Sequence, residues 1–214
     1  MMSAVASMSG VYAITDESLL QGDLLSERVS AALAGGITLL QYRNKSADKA
    51  RQLAECRLLK HLCSQYDTPL LINDDVDLCI AAGADGVHLG QSDTGLQVAR
   101  TRLGDRAIIG VTCHSDLALA LKAEQRGASY VAFGRFFPSN TKPQATPASI
   151  DVLRQARQTL TLPIVAIGGI NAENGAALLD AGADMLAVIH YLFAFPDVTA
   201  RVRQLNTLFT SSST

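Results

Sequence analysis

Short apolar segments recur along the chain without the apolar–polar alternation that is typical of half-exposed strands. Continuous apolar runs of this kind indicate strands buried on both faces, as in parallel sheets that helices cover. The pattern predicts eight strands, at residues 11–15, 38–42, 70–73, 86–89, 107–111, 130–134, 164–167 and 185–189.

Helical periodicity separates these strands. It predicts helices at residues 24–34, 48–65, 116–126, 150–159 and 172–181, with only two or three turns of helix after the third and fourth strands. A phrase of small residues around a Gly occurs four times just before a strand, as Ala34-Gly35-Gly36-Ile37, Ala82-Gly83-Ala84-Asp85, Arg126-Gly127-Ala128-Ser129 and Ala181-Gly182-Ala183-Asp184. Gly directly after a helix adopts the left-handed conformation at low cost, so each phrase marks a helix end that leads into a strand.

Eight strand–helix units within 214 residues favour the α/β class and a single-domain (β/α)8 TIM barrel over an open doubly wound sheet. The expected domain spans residues 1–214, with flexible ends at 1–9 and 211–214.

Composition narrows the class of protein further. Hydrophobic residues make up 48% and charged residues 18%, which argues against disorder, and a net charge of −2 gives no reason to expect nucleic acid or a membrane as partner. Neither a secretory signal nor an apolar run near ~20 residues is present, so no membrane span is expected. The four cysteines lack metal or C-x-x-C spacing, which favours a reducing compartment and hence the cytoplasm.

Polar residues follow most of the predicted strands, at the barrel rim where active sites of this fold lie. Gln41, Arg43 and Lys45 alternate at the end of the second strand, so their side chains share one face. Arg offers a planar fork and Lys a point charge to phosphate oxygens. The alternative is a solvated strand end whose cations pair with nearby carboxylates.

Two carboxylates, Asp74 and Asp93, follow the third and fourth strands. Mg²⁺ prefers one or two carboxylates and takes its other ligands from water and substrate phosphate, so this pair predicts a magnesium site. Asp75 is expected instead to cap a helix that begins near Val76, and Asp85 to serve a turn.

The remaining candidates lie after the later strands. The polar loop at residues 136–144 has the length of a lid and offers Lys142 to the same anion, although an ordinary surface loop is the alternative. Gly168-Gly169 would expose backbone N–H groups to phosphate or merely relieve crowding. His114 would move a proton or bond a carbonyl, and His88, within an apolar strand, is expected to be a satisfied core histidine.

Several ordered segments make the chain resemble the thiamine phosphate synthase family nearly from end to end. The most specific are Gln41-Tyr42-Arg43-Asn44-Lys45, Leu71-Ile72-Asn73-Asp74-Asp75, the run from Gly86 to Asp93, and Pro138-Ser139-Asn140-Thr141-Lys142. The resemblance implies two substrates, 4-amino-2-methyl-5-hydroxymethylpyrimidine diphosphate and a thiazole phosphate or its carboxylated tautomer. It also implies Mg²⁺ on Asp74 and Asp93.

Site residues carry over by position. The pyrimidine diphosphate would contact Gln41, Tyr42, Arg43, Asn44, Lys45, Asn73, Thr112 and Lys142. The thiazole phosphate would lie among Ser139, Asn140, Thr141, Gly169, Ile189 and His190. Arg43, Lys45 and Lys142 are the expected catalytic residues. The family's usual Ser after the fifth strand is Thr112 here, which keeps the hydroxyl, and its usual small hydroxyl residue after the eighth strand is His190.

The implied reaction loses pyrophosphate with help from Mg²⁺, and the thiazole nitrogen then captures the pyrimidine carbon. Two alternatives stay open: a thiazole tautomerase of the related branch, which would use His114, and a non-catalytic sensor of thiamine precursors. The expected partners are small-molecule substrates, and a homo-oligomer is also left open.

Overall fold

Eight parallel strands close into one barrel, as the sequence predicts. The computed structural model describes residues 8–91, 95–139 and 146–211. The strands are β1 Gly10–Ile14, β2 Leu39–Tyr42, β3 Leu70–Asn73, β4 Gly86–Leu89, β5 Ile108–His114, β6 Tyr130–Gly134, β7 Ile164–Ile167 and β8 Met185–Val188. Neighbours in sequence are neighbours in the sheet, and β1 pairs with β8 to complete the closure.

Helices follow the strands and cover the outside of the barrel. They are α1 Leu24–Gly35, α2 Lys49–Ser64, α3 Val76–Ala82, α4 Leu96–Leu103, α5 Leu117–Gln125, α6 Asp151–Thr159, α7 Gly175–Asp180, α8 His190–Phe193 and α9 Val198–Ser211. The short helices α3 and α4 agree with the prediction. Within the described ranges, no helix combines the length and the apolarity that crossing a membrane requires.

Apart from one-residue shifts at element ends, β5 and α7 differ from the sequence prediction, and the helices α8 and α9 were not predicted. Strand β5 continues to His114 because its pairing with β6 resumes beyond a bulge, with Thr112 opposite Ala132 and His114 opposite Phe133. Helix α7 starts later than predicted because the Asn171 side chain accepts the backbone N–H groups of residues 173 and 174 and forms a turn there.

Helix α9 was not predicted, and it packs against α1 through specific polar contacts. The Thr199 hydroxyl donates to the Ala31 carbonyl at 2.8 Å, and the Asn206 amide donates to the Gly35 carbonyl at 3.2 Å. Val202 lies so close to Gly35 that a Cβ there would be 2.7 Å from the Val202 Cβ.

The four Gly phrases also fix the base of the barrel. Gly36 and Gly83 adopt the expected positive φ, at 89° and 66°. Three of the phrases end in a residue whose polar side chain accepts a backbone N–H near the start of the odd-numbered strand before it. Asp85 accepts from Leu70 of β3 at 2.8 Å, Ser129 from Ile109 of β5 at 3.0 Å and Asp184 from Ile164 of β7 at 2.7 Å.

A cation from the helix before each odd-numbered strand contacts each of these three polar residues. Lys60 of α2 bonds both oxygens of Asp85, Arg100 of α4 bonds Ser129, and Arg157 of α6 bonds Asp184. Asp85 therefore has a larger role than the turn that the sequence suggests, because it joins two strands and a helix.

Apolar packing divides into two layers. The larger layer lies between the strands and the helices, and the smaller one fills the barrel interior with residues such as Ile14, Leu39, Leu71, Val165 and Met185. The interior layer also contains the rings of Tyr12 and Tyr130, whose hydroxyls need hydrogen-bond partners.

Candidate active site

Side chains alternate at the end of β2 as the sequence predicts. Gln41 is 2% exposed and its amide donates to the Tyr12 hydroxyl in the barrel interior. Tyr42 and Asn44 turn the other way and both donate to Glu55 of α2, at 2.5 and 3.1 Å. Burial, followed by the bond to Glu55, raises the pKa of Tyr42 above its ordinary value. The predicted substrate contacts of Tyr42 and Asn44 stay predictions.

Arg43 is held between the ends of β1 and β2. Its backbone N–H donates to the Thr15 hydroxyl at 2.8 Å, and its guanidinium lies 3.6 Å from Asp16 and 3.8 Å from Glu17. The carboxylate pairing that the sequence allows is therefore present. A guanidinium has five N–H donors, so these contacts are compatible with binding a phosphate as well.

Lys45, Asn73 and Asp74 come together at the neighbouring strand ends. Lys45 Nζ is 2.5 Å from Asp74 Oδ2, and the Asn73 amide donates to the same oxygen at 2.6 Å. Asp74 has a φ of 64°, in the left-handed region that few residues other than Gly occupy. Backbone strain of this kind is concentrated at functional sites.

The Asp74 carboxylate suits one ligand position of a magnesium site, because it is a hard oxygen donor that already attracts a cation, the Lys45 ammonium. Asp93 lies outside the described residues. Within the described part of the chain, no group of three or more His, Cys, Asp and Glu side chains is close enough to hold a metal ion. Of the predicted pair, Asp74 is the one that lies among the described residues.

Asp75 caps α3, as the sequence predicts. Its side chain accepts the Leu78 backbone N–H at 2.8 Å, and Lys49 Nζ lies 2.8 Å from its other oxygen. Burial alone would raise the pKa of Asp75, but these hydrogen bonds outweigh it and lower the pKa below its usual value. Asp75 thus remains a carboxylate, held by the start of α3 and by Lys49.

A cavity of about 410 Å³ lies between the ends of β2 and β3. Five predicted site residues line it, namely Tyr42, Asn44, Lys45, Asn73 and Asp74, together with Ser46, Lys49, Asp75 and Asp77. Two cationic and three anionic residues around one space suit a ligand that brings both phosphate and a divalent cation.

Thr112 and His88 meet inside the barrel. The two ring nitrogens of His88 lie 2.8 Å from the Thr112 hydroxyl and 2.8 Å from the Tyr130 hydroxyl, which confirms a satisfied core histidine. The Gln91 amide donates to the Thr112 carbonyl at 2.5 Å. Sequence reasoning missed the link through Tyr12 and Tyr130, although a Tyr within an apolar strand signals a buried hydroxyl that needs a partner.

Gly168 and Gly169 are constrained by the segment that follows β6. They adopt φ values of 109° and 65°. A Cβ on Gly169 would lie 2.3 Å from the Pro138 carbonyl oxygen, and one on Gly168 would lie 2.3 Å from the Arg135 Cβ. Relief of crowding is therefore one reason for the glycines. Pro138, the residue before Ser139, lies directly against Gly169.

The last predicted residues lie at the ends of β5 and β8. His114 is exposed with a φ of 52°, and Ile189 directly precedes α8. His190 is exposed, with its ring 6.2 Å from that of Phe195. Asn140, Thr141 and Lys142 lie outside the described residues, so their placement at the rim stays a prediction.

A (β/α)8 barrel with cations, a carboxylate and an amide at the carboxyl ends of adjacent strands defines a barrel enzyme with a polar, anion-compatible mouth. The family model described as thiamine monophosphate synthase matches residues 11–192. The chain belongs to that family, and it is accordingly an enzyme of the transferase class.

Curated relatives agree over almost the whole chain. A thiamine-phosphate synthase of Nitrosococcus oceani is 51% identical over 195 residues, covering 91% of this chain and 90% of the relative. A thiamine-phosphate synthase of Saccharophagus degradans is 53% identical over 196 residues, with 91% and 90% coverage.

Solved structures show the same architecture. The thiamine phosphate pyrophosphorylase of Pyrococcus furiosus is 33% identical and superposes with a TM-score of 0.88, covering 98% of this chain and all of that one. The geranylgeranylglyceryl phosphate synthase of Thermoplasma acidophilum is only 16% identical, with a TM-score of 0.70 over 99% of this chain and 100% of its own, so it shows the fold alone.

Proposed function

We propose that this enzyme is a thiamine phosphate synthase. It joins 4-amino-2-methyl-5-hydroxymethylpyrimidine diphosphate to a thiazole phosphate and releases pyrophosphate, together with CO₂ when the thiazole is carboxylated. The observation that carries the proposal is the meeting of Lys45, Asn73 and Asp74 around one cavity, at positions that match the family's diphosphate and metal residues.

The diphosphate would bind across the ends of β2 and β3. Arg43 and Lys45 supply the charge there, Asn73 supplies an amide, and Gln41 and Thr112 face the substrate from the barrel interior. Tyr42 and Asn44 are proposed to contribute through the strand backbone, because their side chains donate to Glu55. Lys142 would close over the same group from the loop after β6.

Asp74 and Asp93 would hold Mg²⁺, which when bound neutralises negative charge on the diphosphate. Lys45 lies at the Asp74 carboxylate and would turn from it towards the phosphate oxygens, since its side chain is half-exposed and flexible. The carboxylate would then be available to the metal.

Catalysis would rest on charge and position. Arg43, Lys45 and Lys142 stabilise the negative charge that grows on the departing pyrophosphate, while the aminopyrimidine shares the positive charge left on its methylene carbon. The thiazole nitrogen captures that carbon once its own phosphate is fixed. This route needs no covalent nucleophile on the enzyme, and closure of the loop excludes water from the cation.

The thiazole phosphate would lie on the opposite side of the mouth. Gly169 lies against Phe137 and Pro138 there, and Ser139, the next residue, is proposed to bind this phosphate. Asn140, Thr141, Ile189 and His190 are proposed to complete the pocket, with His190 contributing its backbone. As part of the same proposal the enzyme acts in the cytoplasm, which its four unpaired cysteines support.

The test is direct synthesis. Purified protein is incubated with the pyrimidine diphosphate, thiazole phosphate and Mg²⁺, and thiamine phosphate and pyrophosphate are measured. We expect equal amounts of the two products, a loss of at least ~10²-fold in Arg43→Ala, and no loss in Arg154→Ala, which removes an exposed cation on α6. Isomerisation of the carboxythiazole without coupling would identify a tautomerase instead, and binding without turnover would identify a sensor.

A further inference from the structure

We propose that Tyr12, Tyr130 and His88 are positioning residues that form a one-way hydrogen-bond relay across the barrel interior. The relay holds Gln41 and Thr112 at its two ends and fixes His88 as the neutral tautomer with its proton on Nε2. What the two ends bind rests on the proposed function, whereas the relay itself is a property of the folded chain.

Four contacts connect the five side chains. The Gln41 amide donates to the Tyr12 hydroxyl, which lies 2.8 Å from the Tyr130 hydroxyl. The Tyr130 hydroxyl lies 2.8 Å from Nδ1 of His88, and Nε2 of the same ring lies 2.8 Å from the Thr112 hydroxyl. The relay therefore runs from the end of β2 to β5, between two residues that the family pattern assigns to the pyrimidine substrate.

The direction of the relay follows from its first donor. An amide NH₂ only donates, so the Tyr12 oxygen accepts this hydrogen bond and the Tyr12 hydroxyl donates to the Tyr130 oxygen. The Tyr130 hydroxyl then donates a hydrogen bond to Nδ1 of His88. A neutral imidazole that accepts at Nδ1 carries its proton on Nε2. The Thr112 oxygen accepts a hydrogen bond from this N–H, and its own hydroxyl donates to another acceptor, such as a phosphate oxygen or a ring nitrogen.

Both phenols keep their protons under working conditions. Tyr12 is 1% exposed and Tyr130 is 0% exposed. Burial raises the pKa of each hydroxyl well above its ordinary value, because the interior disfavours a phenolate. Each hydroxyl thus supplies one donor and accepts one bond, as a one-way relay requires.

Packing holds the rings of the relay in place. The Tyr12 and Tyr130 rings meet edge to face with centroids 5.9 Å apart, and the His88 ring stacks on Tyr130 at 5.6 Å. Gly110 of β5 makes the space for Tyr130, because a Cβ there would lie 2.0 Å from its ring. Polar atoms inside an apolar layer are costly when unpaired, so loss of one link disturbs its neighbours.

The tautomer is tested by ¹⁵N NMR of the full chain labelled at its four histidines, with His88→Gln to assign the signals. We expect the wild-type protein to show His88 neutral and protonated at Nε2. In Tyr130→Phe the donor to Nδ1 is gone, and we expect the two tautomers to mix. Tyr12→Phe keeps that donor and should keep the tautomer.

A wild-type His88 protonated at Nδ1, or an unchanged spectrum in Tyr130→Phe, would overturn the relay. The wild-type spectrum decides the tautomer even where a variant fails to fold, and it needs no substrate. Failure of the relay is therefore distinguishable from failure of the proposed synthase activity.

Kinetics test the positioning role. In Tyr130→Phe we expect the KM for the pyrimidine diphosphate to rise about tenfold, while the KM for the thiazole phosphate stays within about twofold. Tyr130→Phe combined with Thr112→Val should be no worse than Thr112→Val alone, because both act through one hydroxyl. Tyr66→Phe, at an exposed phenol, is the matched control. An equal rise in KM for both substrates, or additive effects of Tyr130→Phe and Thr112→Val, would contradict the positioning role.

Discussion

Among single residues, Asp74 combines an unfavourable backbone conformation with the charge that the proposed chemistry needs. Its φ of 64° is disfavoured for residues with a Cβ, and its carboxylate is shared by Lys45 and Asn73. Asp and Asn tolerate this conformation better than Ala does. The position therefore allows stability and activity to be separated by substitution.

Asp74→Asn is expected to leave stability within about 0.5 kcal/mol, because Asn tolerates the left-handed region. Mg²⁺-dependent coupling should fall by ~10²-fold or more, because the charge near the leaving diphosphate is reduced. Asp74→Ala should lose about 1 kcal/mol of stability in addition. Thermal unfolding and initial rates measure the two effects, and Asp151→Asn on α6 is the control. An Asn variant with more than half the activity would argue against the metal role.

The buried thiols predict a loss of stability at alkaline pH. Burial raises the pKa of Cys56, Cys63 and Cys113 to about 12 and that of Cys79 to about 11. The unfolded chain loses these protons from about pH 8.5, so unfolding becomes easier as the pH rises above that value. Below about pH 8.5 the contribution is fully present.

Urea unfolding at pH 8, 9 and 10 measures how steeply the free energy of unfolding falls as the pH rises. Each thiol is expected to contribute up to about 1.4 kcal/mol per pH unit between the two pKa values. Cys113→Ala should therefore reduce the slope of the unfolding free energy against pH by the contribution of one thiol. A slope that is unchanged in Cys113→Ala would show that other groups cause the alkaline loss.

At the level of elements, the polar residue at the base of β4, β6 and β8 ties together more of the fold than its sequence suggests. Asp184 accepts the backbone N–H of Ile164 and pairs with Arg157 of α6. Asp85 does the same for Leu70 and Lys60. Two neighbouring strands and one helix thus meet at a single carboxylate.

Asp184→Ala is expected to cost roughly 1–3 kcal/mol, because a partly buried backbone N–H of β7 loses its acceptor. Asp184→Asn keeps an oxygen for that N–H and should cost less. Denaturant unfolding compares the two, with Asp180→Ala at an exposed site as the control. Equal losses in the Ala and Asn variants would show that the ion pair with Arg157 matters more than the backbone acceptor.

Local signals explain which elements could be predicted from the sequence. The apolar runs of β3, β4, β6 and β7 have the predicted bounds because each is buried on both faces and ends at a Gly or a polar residue. Strand β5 extends further only because β6 pairs with it beyond a bulge. That pairing is a tertiary contact and has no local signal in the sequence.

For the candidate site, the sequence predicts which residues lie at neighbouring strand ends but not their side-chain partners. Position relative to strand ends identifies Lys45, Asn73 and Asp74, because a parallel barrel brings those ends together. Side-chain partners such as Glu55 for Tyr42, or Tyr130 for His88, depend on which helix or strand lies opposite. They are separated by up to 42 residues in sequence, so periodicity does not reveal them.

At the scale of the whole molecule, helix α9 packs against α1, the first helix of the chain. Val198, Val202 and Leu205 are fully buried, and α9 packs on α1. The last helix therefore stabilises the same part of the barrel in which β1 and β8 close the sheet.

Val202→Ala is expected to destabilise the protein by roughly 1–3 kcal/mol, because it leaves a cavity between α1 and α9. Unfolding should remain a single transition if closure of the barrel is cooperative. Val98→Ala on α4, where the side chain is 54% exposed, is the matched control. A separate early transition in Val202→Ala would show that α9 detaches independently.

At the base of the barrel, one backbone hydrogen bond recurs in the four strand pairs β1–β2, β3–β4, β5–β6 and β7–β8. In all four pairs, the residue before the even strand donates its backbone N–H to the start of the odd strand: Thr38 to Val11, Asp85 to Leu70, Ser129 to Ile109 and Asp184 to Ile164. A chain built from repeated two-strand modules is suited to circular permutation. New termini placed directly before α2 should therefore disturb folding less than termini placed after α2, which would separate Lys60 from Asp85.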